Sequence, residues 1–141
     1  MFEWHDEYAL GVEQLDQQHQ EIFRLARNLY QAAREKRSQE VVAPTLDGLI
    51  RYTASHFAAE EKLMRLWGYP GLADHIAEHR HLTQQVLELQ RDFMNGRKAL
   101  TLKMLTLLAD WLTDHIRVND RRYLPSYREA NNAQTAHPVL S

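Results

Sequence analysis

The chain has 141 residues, of which 44% are hydrophobic and 26% charged, the composition of a soluble globular protein long enough to bury one core. Its net charge of −2 argues against nucleic acid or an acidic membrane surface as a partner. Because the chain has no cysteine, disulfides and thiolate metal sites are excluded, and a metal site would have to use His, Asp or Glu.

The N-terminal segment 1–14 is predicted to be an arm. Its sequence MFEWHDEYAL carries acids and a tryptophan where a signal peptide would carry a basic stretch followed by an apolar core. No part of the sequence approaches the run of about 18 apolar residues that a membrane span requires. We therefore expect a cytoplasmic protein with no membrane partner.

Between residues 15 and 120, four segments carry apolar side chains at the spacings of three and four that mark one face of a helix. The predicted faces are, in chain order, Ile22, Phe23, Ala26, Leu29, Tyr30 and Ala33; Leu46, Leu49, Ile50, Thr53, Phe57, Met64 and Trp67; Leu72, Ile76, Leu82, Val86, Leu89 and Phe93; and Leu105, Leu108, Trp111 and Leu112. Four such helices with short connections predict an all-α fold, an antiparallel up-down-up-down four-helix bundle. Residues 121–141 are predicted to form a short helix and a loose tail, and the whole chain, 1–141, is expected to be a single domain.

The helix boundaries are predicted from capping and helix-breaking residues. Asp16 and Thr101 are expected to cap the first and fourth helices, and Pro44 is expected to lie in the first turn of the second. Turn residues at 69–71 and 95–96 are expected to separate the second, third and fourth helices.

Five of the eight histidines and one glutamate fall on the predicted inner faces. They are His19, His56, Glu60, His75, His79 and His115. One histidine on such a face is usually a hydrogen-bonded core residue, and a lone i,i+4 His–Glu pair usually lies on the surface. Buried together, however, these groups would cost about 1–3 kcal/mol per unsatisfied polar atom, a sum that rivals the stability of a small domain. A bound metal ion would be their shared partner, whereas the other histidines, His5, His81 and His137, are predicted to face solvent.

Two further acids are ambiguous from spacing alone. Asp120 follows His115 by five residues, about 140° round an ideal helix, so both can face one centre only if the helix ends or distorts between them. On spacing alone, Asp120 is predicted to be a solvated acid beside the two arginines that follow it. Glu61 lies about 100° round the helix from Glu60 and is also expected to be solvated.

The number of candidate donors indicates the kind of site. Five imidazoles and two carboxylates exceed the roughly four ligands of one zinc ion and suit a pair of mid-row metals with about six positions each. If both carboxylates bridge, together with one oxide or hydroxide, about eleven of the twelve positions are filled. One position then stays open for a small ligand.

Four motifs carrying these residues resemble the hemerythrin family, specifically the single-domain bacteriohemerythrins. They are GVEQLDQQHQEIF around His19, HFAAEEKLM from His56, YPGLADHIAEH ending at His79, and WLTDHIRVND ending at Asp120. They occur in the family's order and cover residues 4–123. Together they supply all seven ligands that the family would use.

The resemblance implies two iron ions per chain in a non-haem site. His75, His79 and His115 would bind one iron, and His19 and His56 the other, which would keep the open position. Glu60 and Asp120 would bridge the irons together with an oxo or hydroxo group. The residues that match the family's apolar O2 pocket are Ile22, Phe57, Trp111, Leu112 and Ile116.

The function implied is reversible O2 binding, for storage, delivery or sensing, with O2 as the ligand, no catalytic residue, and any protein partner left open. One alternative is a di-iron oxidase or peroxidase, or an NO-related redox enzyme, at the same site. Ferritin-like enzymes use two E-x-x-H motifs, whereas here the one such motif, Glu78 to His81, is predicted to point away from the His75/His79 face. A metal-free bundle that acts as an interaction module is the third hypothesis.

Overall fold

The computed structural model describes residues 3–96 and 102–136, and every regular element within these ranges is helical. Four long helices, α1 (Glu13–Arg34), α2 (Gln39–Leu66), α3 (Leu72–Met94) and α4 (Leu102–Asp114), form the bundle, and α5 (Leu124–Ala136) follows it. Helix α1 packs against α2 and α4, and α2 packs also against α3. The predicted all-α four-helix bundle is confirmed. None of the described helices is both long and apolar enough to cross a membrane.

Three short elements connect the arm and the C-terminal helix to the bundle. A 3-10 turn at Asp6–Tyr8 precedes α1. Helix α4 continues without a break into a π-helical turn at His115–Asn119 and then a 3-10 turn at Asp120–Tyr123. Two predictions concern residues outside the described ranges, namely Thr101 as the cap of the fourth helix and His137 as a solvent-facing residue of the tail.

The prediction that Asp16 caps α1 is wrong, because the helix begins three residues earlier, at Glu13. The Asp16 carboxylate instead accepts hydrogen bonds from the backbone N–H groups of Leu10, at 2.7 Å, and Gly11, at 3.1 Å. Gly11 has a φ of 84°, a left-handed conformation that favours glycine. Asp16 therefore fastens the arm to the first turn of the helix.

Pro44 also lies elsewhere than predicted. Helix α2 starts at Gln39, with the Ser38 carbonyl accepting from the N–H groups of Val41 and Val42 at 2.9 and 3.0 Å, so Pro44 is inside the helix and beyond its first turn. Because proline has no N–H, the Glu40 carbonyl lacks its usual intrahelical donor there. The helix continues nonetheless to Leu66, since its inner face is packed against α1 and α3.

The interior contains two apolar clusters. The larger includes Ile22, Leu46 and Leu112, and the smaller includes Leu15, Met64 and Tyr123. Along every helix that contributes to both, polar residues fall between the two clusters; His19, for example, lies between Leu15 and Ile22. The bundle thus holds a buried polar layer between two apolar ones.

The N-terminal arm packs along the outside of this arrangement. Tyr8 is buried in the larger cluster, where its ring contacts Trp4 and Phe23 edge-on at centroid distances of 5.6 and 5.5 Å. The Arg121 guanidinium donates hydrogen bonds to the backbone carbonyls of Glu7 and Ala9. The arm is therefore attached next to Asp120, one of the candidate ligands.

Candidate metal centre

The seven candidate donors come together in the polar layer. Each side chain is at most 4% exposed, and the two carboxylates are fully buried. They form two groups within which the donor atoms lie no more than 4.8 Å apart. One group consists of Glu60, His75, His79, His115 and Asp120, and the other of His19, His56, Glu60 and Asp120. Both carboxylates therefore belong to both groups.

In the three-histidine group, every imidazole presents its Nε2 atom to the centre. The Nε2 atoms of His75 and His79 lie 2.9 and 3.0 Å from Glu60 Oε1. The Nε2 atoms of His75 and His115 lie 3.0 and 3.1 Å from Asp120 Oδ1. Three nitrogens and two oxygens thus surround one small volume.

The two-histidine group faces the other oxygen of each carboxylate. The Nε2 atom of His19 lies 3.1 Å from Asp120 Oδ2 and 3.7 Å from Glu60 Oε2, and that of His56 lies 3.5 Å from Glu60 Oε2. Each carboxylate therefore directs one oxygen to each group. This is the arrangement that a carboxylate bridge between two cations requires.

A local distortion of the backbone brings Asp120 to the centre. In the π-helical turn after α4, the Asp120 N–H donates to the His115 carbonyl, so the hydrogen bond spans five residues instead of four. Such single π turns inside α-helices are rare and occur frequently at functional sites. The helix is therefore distorted between His115 and Asp120, which is one of the two conditions under which both side chains can face one centre.

In three imidazoles, the Nδ1 atom, which faces away from the centre, has a polar partner. His79 Nδ1 lies 2.8 Å from Glu61 Oε2, His115 Nδ1 lies 3.1 Å from Glu78 Oε1, and His56 Nδ1 lies 2.6 Å from an oxygen assigned to the Gln18 amide. Since a carboxylate accepts only, the Nδ1 atoms of His79 and His115 donate these hydrogen bonds, and their Nε2 atoms are the ones that would face a bound cation.

Those contacts correct one sequence prediction and extend another. Glu61 is not freely solvated, because its side chain is only 24% exposed and bonds His79 on the neighbouring helix. Glu78 leaves the His75/His79 face, as predicted, and reaches His115 in the π-helical turn after α4, where it also accepts from the Asn119 amide. Helical periodicity cannot find such partners, because they depend on how neighbouring helices are packed. His5 and His81 are exposed, as predicted.

Tyr123 is a site residue that the sequence analysis missed. Its side chain is fully buried, and its hydroxyl donates a hydrogen bond to Glu60 Oε2 at 3.1 Å. Burial, followed by the charges of Asp120 and Glu60, raises the pKa of this phenol well above its usual range. Tyr123 therefore stays protonated and holds the Glu60 carboxylate in place.

The electrostatics of the centre favour positive charge. Burial tends to lower the pKa of His19, His75 and His115, but the neighbouring Asp120 and Glu60 carboxylates outweigh it and raise the pKa to about 9, 9 and 10. Neighbouring histidines, with His19 acting on both carboxylates, hold the pKa values of Glu60 and Asp120 below their usual range despite burial. Without a cation, protons would have to balance the two carboxylates.

The hydrogen bonding of the centre fits a bound cation. Among the described residues, both nitrogens of His19 and both oxygens of Asp120 are buried without a hydrogen-bond partner, although the two side chains approach to 3.1 Å. The Nε2 atoms of His79 and His115 both face the centre and lie only 3.2 Å apart. Such close imidazole nitrogens and unpartnered buried atoms are costly unless protons or a cation lie between them.

An apolar cavity of about 40 Å³ lies beside the donor cluster, with none of the seven donors in its lining. Its lining includes four of the five predicted pocket residues, Ile22, Phe57, Trp111 and Leu112, and is otherwise apolar except for two threonines. Ile116 does not line the cavity and is buried in the larger apolar cluster. Two wall residues contact the candidate donors. The Phe57 ring stacks on His79 with a centroid distance of 3.8 Å, and the Trp111 ring stacks on His115 with a centroid distance of 5.1 Å.

The fold and the donor cluster define a cation-binding four-helix bundle, and residues 10–127 match the family model described as the hemerythrin HHE cation binding domain. The chain belongs to the hemerythrin family. It is 34% identical over 120 residues to a bacteriohemerythrin of Stenotrophomonas maltophilia, covering 85% of this chain and 77% of that one. A bacteriohemerythrin of Methylococcus capsulatus is 34% identical over 119 residues, 84% of this chain and 90% of that one.

Solved structures agree with the fold. The crystal structure of a wild-type hemerythrin superimposes with a TM-score of 0.83 at 32% identity, covering 88% of this chain and 95% of that one. A mutant hemerythrin matches at the same TM-score with 31% identity. The family and these relatives confirm the prediction that the chain is not a classical enzyme.

Proposed function

We propose that this chain, as a single domain, binds O2 reversibly at two non-haem iron ions held by the seven buried donors. His75, His79 and His115 would hold one iron, His19 and His56 the other, and Glu60 and Asp120 would bridge them. The observation that carries the proposal is the sharing of both carboxylates by the two donor groups. Storage, delivery and sensing of O2 are all compatible roles.

The composition of the site favours reversible binding over oxidation of a substrate. Bound irons would supply the electrons with which O2 is held. Histidines outnumber carboxylates, in contrast to the carboxylate-rich sites of ferritin-like di-iron proteins. The group with fewer histidines leaves more coordination positions for a ligand.

The surrounding side chains control what can approach that position. An apolar cavity of this size stays dry and admits a small apolar molecule, whereas water and anions would lose hydrogen bonds on entering. The stacked rings of Phe57 and Trp111 also limit rotation of the imidazoles beside them. The chain's own contribution is therefore to orient the donors and to exclude water.

The test is an optical spectrum of the purified protein with and without O2, alongside its iron content. We expect about two irons per chain and a coloured oxygenated form that bleaches when O2 is removed. A matched variant, Asp120→Asn, should lose the colour while keeping the helical fold. Bound zinc alone, or no spectral response to O2, would contradict the proposal. Substrate oxidation over many turnovers would favour the alternative, an oxidase or peroxidase.

A further inference from the structure

The two donor groups differ in the charge of the residues behind their histidines. Behind the three-histidine group stand two carboxylates, Glu61 on His79 and Glu78 on His115, at 2.8 and 3.1 Å. Behind the two-histidine group, His56 has the neutral amide of Gln18 at 2.6 Å. His19 Nδ1 has no hydrogen-bond partner among the described residues. Among the described residues, the Nδ1 partners thus add negative charge behind the three-histidine group and none behind the two-histidine group.

The two outer carboxylates are held in position. The Glu61 and Glu78 side chains are 24% and 32% exposed, so each is partly shielded from solvent. The Asn119 amide, on the π-helical turn, donates to the same Glu78 oxygen that faces His115. The geometry therefore keeps each carboxylate on its imidazole.

A carboxylate behind an imidazole acts on the metal in two ways. It fixes the tautomer and ring orientation, which an amide oxygen also does, and it makes the imidazole a stronger donor, which a neutral amide does far less. Its negative charge also attracts a cation across the ring, and partial burial weakens the screening of that attraction. Residues in such outer positions typically change metal affinity about 10–100-fold.

We propose that Glu61 and Glu78 are positioning residues that strengthen cation binding at the three-histidine end relative to the two-histidine end. The inference rests on the proposed metal pair and adds that its two positions differ in cation affinity. The three-histidine end is the tightly held, permanently filled position. The two-histidine end, whose imidazoles have no carboxylate behind them among the described residues, binds its cation more weakly.

The test is a titration of the metal-free protein with Co²⁺ in anaerobic buffer. Occupancy of each end is followed by proton NMR, through the paramagnetically shifted Nδ1–H signals of His79 and His115 for one end and of His56 for the other. Competition with a chelating dye gives the two dissociation constants. Because the three-histidine end also has one more imidazole, the informative quantity is the change between variants and not the order in the wild type.

We expect the double variant Glu61→Gln with Glu78→Gln to weaken the first binding step by about 10–100-fold and leave the second nearly unchanged. Glutamine preserves the side-chain shape and an acceptor oxygen, so only the charge is lost. The reciprocal variant Gln18→Glu should strengthen the second step alone. Glu88→Gln, at an exposed position on α3, controls for a general change in net charge.

The inference is overturned if both steps keep their wild-type constants in the double variant, or if Glu88→Gln has the same effect. If the double variant does not fold, Gln18→Glu decides, because it removes no contact of the three-histidine end; an unchanged second step then overturns the inference. A wild-type protein that binds fewer than two Co²⁺ ions would instead contradict the proposed metal pair. The two failures are therefore distinguishable.

Discussion

At the scale of single residues, His79 shows how one side chain is fixed from several directions. Its Nε2 atom faces Glu60 at 3.0 Å, its Nδ1 atom faces Glu61 at 2.8 Å, and its ring lies flat on Phe57 with an interplanar angle of 6°. Rotation of the ring would break all three contacts. Precise orientation of the donor is thus established before any ligand binds.

Leu112 gives a prediction for the cavity. It lines the apolar space one turn before His115 and is 6% exposed. Replacing it by threonine should admit water beside the site and speed autoxidation of the oxygenated form, because an apolar lining would keep out the water and anions that hasten irreversible oxidation of the metal. The measurement is the decay of the oxygenated spectrum in air.

The control is Leu29→Thr, a change of the same chemistry in a core leucine that does not line the cavity. Both variants should lose stability, by roughly 2–5 kcal/mol. Only Leu112→Thr should change autoxidation. Equal autoxidation rates for the two variants would show that Leu112 does not shield the open position.

The histidines predict how the metal-free protein responds to pH. The folded pKa values of His19, His75 and His115, about 9 to 10, lie above the unfolded value of 6.5. Their contribution to stability is therefore fully present below pH 6.5 and is lost as the pH rises through 9 to 10. Urea unfolding of the metal-free protein should show a free energy of unfolding that falls between about pH 6 and about pH 10.

His81 provides the comparison for this pH dependence. It is exposed, so His81→Gln should leave the decline unchanged, whereas His19→Gln should reduce it. A metal-free protein whose stability is flat across this range would contradict the pairing of these histidines with the buried carboxylates.

At the scale of elements, the π-helical turn after α4 decides whether the site is complete. Inserting an alanine after Val118, which is 52% exposed, should place Asp120 six residues after His115, about 240° round an ideal helix and away from the centre. Metal content should then fall, while the far-ultraviolet circular dichroism spectrum keeps its helical shape. Retention of both metals after the insertion would show that this spacing is not needed.

Val118→Ala is the matched control, because it shortens the same side chain without changing the register. It should bind metal as the wild type does. Asp120→Asn separates loss of the carboxylate from the change in backbone path, since it keeps the π turn and removes one charge.

At the scale of the whole molecule, a polar layer lies between two apolar clusters, and burying it without a cation is costly. Removing metal with a chelator should therefore lower the melting temperature. A cation present at about 1,000 times its Kd adds about 4 kcal/mol, and each kcal/mol moves the midpoint by roughly 2–8 °C for domains of this size range. The measurement is a thermal melt with and without chelator.

The double variant Glu60→Gln with Asp120→Asn lacks both shared carboxylates and should melt at one temperature under both conditions. If the wild type also melts at the same temperature with and without chelator, the protein is stable as a metal-free bundle. That result would support the interaction-module hypothesis in place of the metal centre.

The sequence alone determined the four helices, their inner faces and six of the seven candidate donors, because helical periodicity is local and places residues three or four apart on one side. Asp120 was indicated only by the resemblance of its motif to the family. Tyr123 and the true helix starts at Glu13 and Gln39 escaped it. Local signals such as Asp16 and Pro44 are overridden once a longer helix buries more surface or a side chain fastens a neighbouring segment.

Only the tertiary structure decided how the donors divide into two groups that share Glu60 and Asp120, and which carboxylates stand behind them. Periodicity predicts a solvated Glu61 and a Glu78 that leaves the His75/His79 face, but it does not contain the histidine that each carboxylate bonds on another element. Contacts between helices depend on the rotation and separation of the packed elements, which a one-dimensional pattern does not contain. The sequence specified the atoms of the site, and packing specified their partners.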